Sequence, residues 1–169
     1  MTGLGWRGEK AGDRIYLDDE GEIVRVPKGE GRGTLHPPKW EYTVKVREPE
    51  HPVMKGMPQE WLHATDELWS NMRGPAQNMT ILATAFCDSA KGGEKATDKH
   101  EPQIWTVDYG KGKIFNISQG HLMDPTDPAM SCVGFQTVVL RGLEWLATGE
   151  VTIPIPDNFP TAETVSIVD

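Results

Sequence analysis

Two alternating apolar runs joined by Gly110-Lys111-Gly112 constrain this chain more than any other segment. Ile104, Trp105 and Val107 lie in the first run, and Ile114, Phe115 and Ile117 in the second. That period belongs to half-buried strands, and the Gly-x-Gly between them marks a tight turn, so residues 101–121 read as a hairpin. Gly120 then lets the backbone bend, and His121 stands where the second strand has just ended. Ligand sites of open α/β sheets gather beyond strand ends, and histidine is the side chain that changes charge near neutral pH.

The rest of the chain supplies further strands and one helix. Residues 15–17 and 23–26 flank Asp18-Asp19-Glu20-Gly21 as a small hairpin. Gly29-Glu30-Gly31-Arg32-Gly33 reads as a loop, either a surface excursion or a cover over a site. Residues 41–46 alternate as a strand, and residues 80–86 form a near-continuous apolar run, as in a strand buried on both faces. Residues 60–68 read as a short helix or turn with Trp61, Leu62 and Leu68 inward. Residues 135–148 read as a helix whose inward stripe is Phe135, Val138, Val139, Leu143 and Leu146, stopped by Gly149. A doubly wound sheet needs helices on both faces. A single long helix therefore suggests such a fold without its leading βαβ units. Residues 1–150 are expected to form one domain, and residues 151–169, with Pro154, Pro156 and Pro160, an extended tail.

Composition excludes several roles. The 169 residues carry a formal net charge of -8 and no Lys/Arg-rich run, which argues against a nucleic-acid partner. No stretch approaches the roughly 20 apolar residues of a membrane span, so no membrane partner is expected. Cys87 and Cys132 form no C-x-x-C, which argues against a thiolate zinc site. Without a signal-peptide core the chain reads as cytoplasmic if complete, and as exported if a leader has been lost.

Chemistry must be assembled from separate loops, because none of the five histidines has H-x-x-x-H or H-E-x-x-H spacing. Asp66-Glu67 precedes Leu68-Trp69, and an apolar wall there would raise a carboxyl pKa and suit it to proton transfer. The alternative is a helix-starting pair, with Asp66 as cap and Glu67 in solvent. His121 either acts as base, acid or metal ligand, or merely caps its strand. His36 closes the glycine loop, as a site residue or a solvated one. His100 and Glu101 enter the hairpin and could face Glu67. His51 reads as structural and His63 as half-exposed. Phe86-Cys87-Asp88 lacks the small neighbours of a nucleophile elbow. Trp6, Trp40 and Trp69 are core residues or platforms for a sugar ring.

Four ordered blocks resemble the ThuA-like (trehalose utilisation) proteins. They are residues 51–58, Asp66-Glu67-Leu68-Trp69, residues 102–121 and Arg141-Gly142-Leu143-Glu144-Trp145, within roughly residues 36–148. The resemblance implies a flavodoxin-like three-layer sandwich, similar to class I glutamine amidotransferases, here missing its first βαβ units. It also implies a role in carbohydrate metabolism, on 3-keto-glycosides. Amidotransferase chemistry does not carry over, since neither cysteine lies in the required motif. Under this reading Glu67, His121, His36 and Asp66 are the catalytic candidates. Glu67 and His121 transfer protons, and His36 and Asp66 orient a hydroxyl or bind a cation. Trp6, Arg7, His100, Glu101 and Gly120 are the substrate-binding candidates. The cofactor is left open, a divalent metal included, and the partners expected are a small sugar and a second copy of the chain. The rival is a non-catalytic carbohydrate-binding or assembly domain.

Overall fold

A computed structural model describes residues 2–168. Its strands are β1 (Asp13–Leu17), β2 (Ile23–Val26), β3 (Trp40–Val46), β4 (Glu60–Asp66), β5 (Arg73–Gly74), β6 (Met79–Phe86), β7 (His100–Tyr109) and β8 (Gly112–Ile117). The helices are the single turn α1 (Ser89–Gly92) and the long α2 (Val133–Thr148). One sheet runs in the order β2-β1-β7-β6-β3-β4, with β5 added to β1 and β8 to β7. Every strand pair is antiparallel. The protein is therefore a mixed α/β chain with few helices. The parallel sheet with helices on both faces, expected of a flavodoxin-like three-layer sandwich, is not what residues 2–168 form. The connections explain why. The β7–β8 turn is Gly110-Lys111, and the β6–β7 link holds only α1 and a second short turn. Two residues cannot make a parallel crossover, and the 13-residue β6–β7 link carries no helix long enough to cover a face of the sheet.

Each face of the sheet has its own core. Tyr42, Val44, Trp61, Leu82 and Ile104 pack with Val138 and Trp145 of α2. On the other face Leu4, Ile15, Met72, Trp105 and Val107 pack together under the amino-terminal segment.

Two local expectations are overturned. Residues 60–66 form strand β4, not a helix or turn: Trp61 and His63 both point inward and are fully buried. The period of two was hidden because one of its inward members is a histidine. Helix α2 exists, but it is rotated from the expected orientation: of the expected stripe Val138 is fully buried and Phe135 and Val139 are half-buried. Its buried residues are Val133, Gly134, Thr137, Val138, Arg141, Gly142 and Trp145, whereas Leu143 and Leu146 of the expected stripe are exposed. The reason is close approach. A Cβ on Gly142 would fall 2.5 Å from the Phe115 ring, and one on Gly134 would fall 2.8 Å from Trp61 Nε1. Glycine is needed where the helix backbone meets the sheet, so hydropathy alone misplaces the face. Gly142→Ala should lower stability by about 1–3 kcal/mol through overpacking. Urea unfolding measures this, and an unchanged midpoint would show that Phe115 moves aside freely.

Arg141 anchors the same face. Its guanidinium donates to the carbonyls of Val53 (2.8 Å), Pro52 (3.0 Å), Lys55 (2.8 Å) and Ile153. Burial lowers its pKa, yet arginine stays charged at any ordinary pH. One side chain thus joins α2 to the turn after β3 and to the start of the tail. Further along, Leu62 N–H donates to Thr161 O (2.8 Å), and Phe159 lies edge-on to Trp61.

Candidate functional site

The polar residues at one end of the sheet are brought together by backbone stitching. Gly5 and Arg73 exchange backbone hydrogen bonds, and so do Leu35 and Ser70. Thr34 links the two strips: its N–H donates to Arg7 O and its hydroxyl to Gly5 O. These contacts lay residues 5–7, 34–36 and 67–70 side by side. Trp6, His36, Glu67 and Trp69 follow from that placement. The Trp6 ring is 5.2 Å from Trp69 and 5.6 Å from His36.

The end of β8 supplies the fourth strip. Gln119 leads into Gly120, whose φ of +90° puts it in the left-handed region. A Cβ there would also meet the Phe135 ring at 2.6 Å. Both facts require glycine at the bend. Gly120 N–H donates to Asp66 Oδ2 at 2.7 Å, and His121 N–H to Asp66 Oδ1 at 3.2 Å. Asp66 also accepts from Glu67 N–H (2.7 Å) and lies 3.1 Å from His63 Nε2. The far side of the loop is staked by Lys39, whose ammonium donates to Asp127 at 2.7 Å. That bond and the N–H groups of Met123 and Asp124 hold the Asp127 carboxyl down at about 2.

His121 Nδ1 lies against Glu67 Oε2 as a close ion-pair contact, and His36 Nδ1 is 3.6 Å from Glu67 Oε1. The Glu67 side chain is 8% exposed, and the two histidines are about one third exposed. His36 Nδ1 also faces Pro37 O at 2.9 Å. A proton is therefore favoured on Nδ1 of both rings. Trp69 Nε1 donates to Glu67 at 3.4 Å. The geometry is a nearly buried carboxylate between two imidazoles, walled by tryptophan.

Behind it lies a fully buried layer: Asp66, His63, Tyr42 and Cys132. Burial pushes the His63 pKa down, but Asp66 and Cys132 outweigh that and leave it raised. Burial pushes the Cys132 thiol up, but His63 and the N–H groups of Ala64 and Phe135 bring it below its ordinary value. Burial drives the Tyr42 phenol well above its ordinary value. Sequence reasoning left His63 half-exposed, and only its place between Trp61 and Asp66 on one strand hinted otherwise.

The structure thus brings together Glu67, His121, His36, Asp66, Trp6 and Gly120, and it changes some of their expected parts. Asp66 is fully buried with both oxygens engaged by the protein, so it cannot orient a substrate hydroxyl or bind a cation. Gly120 donates its N–H to Asp66 and shapes the loop. Arg7 is exposed next to Trp6. Glu101 lies elsewhere: fully buried, it pairs with Arg14 and accepts from Thr97 and Asn71 N–H. Burial raises its pKa above the carboxylate norm despite Arg14. His100 stands edge-on to Phe86, near Arg47 and Lys45, not Glu67. Cys87 is buried and its thiol pKa is raised by burial. Among the described residues no group of three or more His, Cys, Asp or Glu is arranged to hold a metal ion. His36 and His121 both turn Nδ1 onto Glu67 instead of converging with it on a shared point.

The family model described as "ThuA: Trehalose utilisation" matches residues 24–146. A crystal structure described as that of a ThuA-like protein from Parabacteroides merdae ATCC 43184 is 41% identical in sequence and superposes with a TM-score of 0.90. The match covers 99% of this chain and 60% of that one, so the chain spans three-fifths of its neighbour's length. No curated protein matches the chain. With the family model spanning most of the sequence and a close structural likeness beside it, the chain belongs to the ThuA (trehalose utilisation) family.

Proposed function

We propose that this chain is an acid/base domain that processes 3-keto-glycosides by elimination or isomerisation. The observation that carries the reading is Glu67, nearly buried, held between Nδ1 of His36 and Nδ1 of His121 beside two tryptophans. The C3 ketone of such a sugar acidifies the C2–H. His121 Nε2, its ring oriented by the Glu67 carboxylate at Nδ1, takes that proton, and the C2–H electron pair moves into the enolate. In elimination the enolate reforms the ketone as a C1–C2 double bond forms and the C1–O bond breaks. The departing oxygen takes a proton from Nε2 of His36, which enters this step as the imidazolium with its Nδ1–H still turned to Glu67 and Pro37 O. In isomerisation the C2 hydroxyl proton passes to the C3 oxygen and the proton taken from C2 is returned at C3, which moves the ketone to C2. This is proton transfer by positioned imidazole side chains. Trp6 and Trp69 offer faces for the apolar C–H side of a sugar ring.

Asp66 acts here through position, by fixing the backbone of both Glu67 and His121. The flavodoxin-like three-layer arrangement belongs to this reading as a property of the longer family domain, of which this chain would be the antiparallel part.

The test is to incubate the protein with 3-ketotrehalose and with a 3-keto-glucoside in D2O and follow C2 by NMR. Deuterium exchange at C2, with or without release of the C1 alcohol, is expected. Neither exchange nor product, with and without added divalent metal, would remove the reading.

A further inference from the structure

The buried layer behind Glu67 holds three ionisable side chains in a row: Cys132, His63 and Asp66, each 0% exposed. His63 Nε2 lies 3.1 Å from Asp66 Oδ2. Its other nitrogen, Nδ1, is buried and has no nitrogen or oxygen partner among the described residues. The group that faces Nδ1 is the Cys132 thiol.

Both ends of the row are built for negative charge. Asp66 accepts from the N–H groups of Glu67, Gly120 and His121 as well as from His63. Those donors fill the acceptor positions of an ionised carboxylate and leave no place for a proton of its own. Cys132 is the N-cap residue of the 16-residue helix α2, and its side chain makes no ordinary cap bond. Its sulfur is faced instead by the N–H groups of Ala64 and Phe135. Phe135 N–H belongs to the first turn of α2, where donors lack partners within the helix and the helix dipole favours an anion. A helix start beside an imidazolium is a setting that ionises cysteine.

His63 therefore stands between two groups that each favour the anion. A neutral imidazole has one N–H and serves one of them; the imidazolium serves both. We propose that Cys132 is a positioning residue, a buried thiolate that keeps His63 as the imidazolium and Asp66 as the carboxylate at the far end. The proton that leaves the sulfur sits on His63 Nδ1, so the transfer is internal and needs no outside base. Its effect on the site runs through Asp66. A charge-assisted bond from His63 is roughly twice as strong as one from a neutral ring, and Asp66 in turn holds the backbone of Glu67 and His121. This effect on chemistry rests on the proton-transfer reading above; the charges in the row do not.

Few other groups bear on the row. Tyr42 of β3 faces it, and burial keeps that phenol neutral. Gln119, beside Tyr42, is uncharged. Lys39 acts on Asp66 through space while its ammonium is held by Asp127. The other thiol, Cys87, is raised by burial.

Ultraviolet thiolate absorbance tests the charges directly. The difference between the wild-type protein and Cys132→Ser should show a thiolate already present at neutral pH, well below the ordinary cysteine pKa of about 8.5. His63→Gln should abolish that neutral-pH signal. Should either variant fail to fold, the wild-type protein still decides, because the nitrogen-15 spectrum of His63 should show protons on both ring nitrogens at neutral pH. A Cys132 thiol that ionises only at or above its ordinary pKa, or a His63 ring with one proton at neutral pH, overturns the proposal. Deuterium exchange at C2 of a 3-keto-glucoside tests the effect on the site. Serine keeps the size but not the charge, so His63 releases its proton at lower pH than in the wild-type protein. Exchange by Cys132→Ser should match the wild type at about pH 6 and fall about fivefold below it by about pH 8. A structural defect alone lowers both rates equally, and a ratio that does not change with pH overturns the positioning role. No exchange by the wild-type protein would instead remove the 3-keto-glycoside reading, and the charged row then stands or falls on the absorbance and the ring protons.

Discussion

Turnover of a 3-keto-glucoside should fall by about 10²–10⁴-fold when His121 is replaced by alanine, the range expected for loss of a positioned proton-transfer group. The ring is the element of the site that the most structure converges on. Its backbone is pinned by Asp66, its loop is staked by the Lys39–Asp127 pair, and its Nδ1 rests on Glu67. His36→Ala should reduce elimination strongly while sparing deuterium exchange at C2, since His36 serves the leaving oxygen and not the carbon acid. Glu67→Gln keeps the shape but removes the charge that fixes both rings, so it should lower kcat with little change in KM. Trp69→Ala should do the reverse and raise KM. A domain that only binds sugar would show modest affinity changes for all four variants and no exchange at C2. That pattern of NMR rates and binding isotherms would sink the assignment.

Asp66→Ala should be the most destabilising single change in the site, by about 3–5 kcal/mol, because removing one partner leaves the others buried and unpaired. The N–H groups of Glu67, Gly120 and His121 and the raised-pKa His63 all lose their acceptor. Against a total of about 5–15 kcal/mol for an ordinary domain, that is a large share of the stability. Urea unfolding followed by tryptophan fluorescence would measure it. Asp66→Asn separates structure from chemistry. It keeps an acceptor oxygen but turns an amide N–H₂ toward existing donors, so stability should fall less than in the alanine variant while His121 is still displaced. A loss below about 1 kcal/mol for Asp66→Ala would place this residue among ordinary surface-like contacts and remove its role as the clamp.

The hairpin at residues 104–117, the buried strand at residues 80–86 and the stop at Gly149 were legible because each rests on local rules. Those rules are alternation, continuous apolarity, and a glycine in the left-handed region, which Gly149 adopts with φ of +83°. The meeting of Glu67 with His121 and His36 was legible only as placement at strand ends. What could not be read was where polar and small residues go inside. His63 hid strand β4, Arg141 lay outside the expected apolar stripe yet holds four backbone carbonyls, and two glycines marked the inward side of α2. Glu101 illustrates the same limit. Its acidity and its position before Pro102 suggested a ligand-facing group, yet Arg14 from a strand 87 positions away neutralises it inside the core. Long-range partners of this kind leave no trace in local spacing.

The last stretch of the polypeptide has a protective consequence. With Thr161 taking the Leu62 amide and Phe159 lying on Trp61, the chain's own end guards the rim strand β4 against pairing with a stranger. A protease clipping between Ile153 and Phe159 would strip that guard. The newly bared strand would then become a template for aggregation rather than a quiet border.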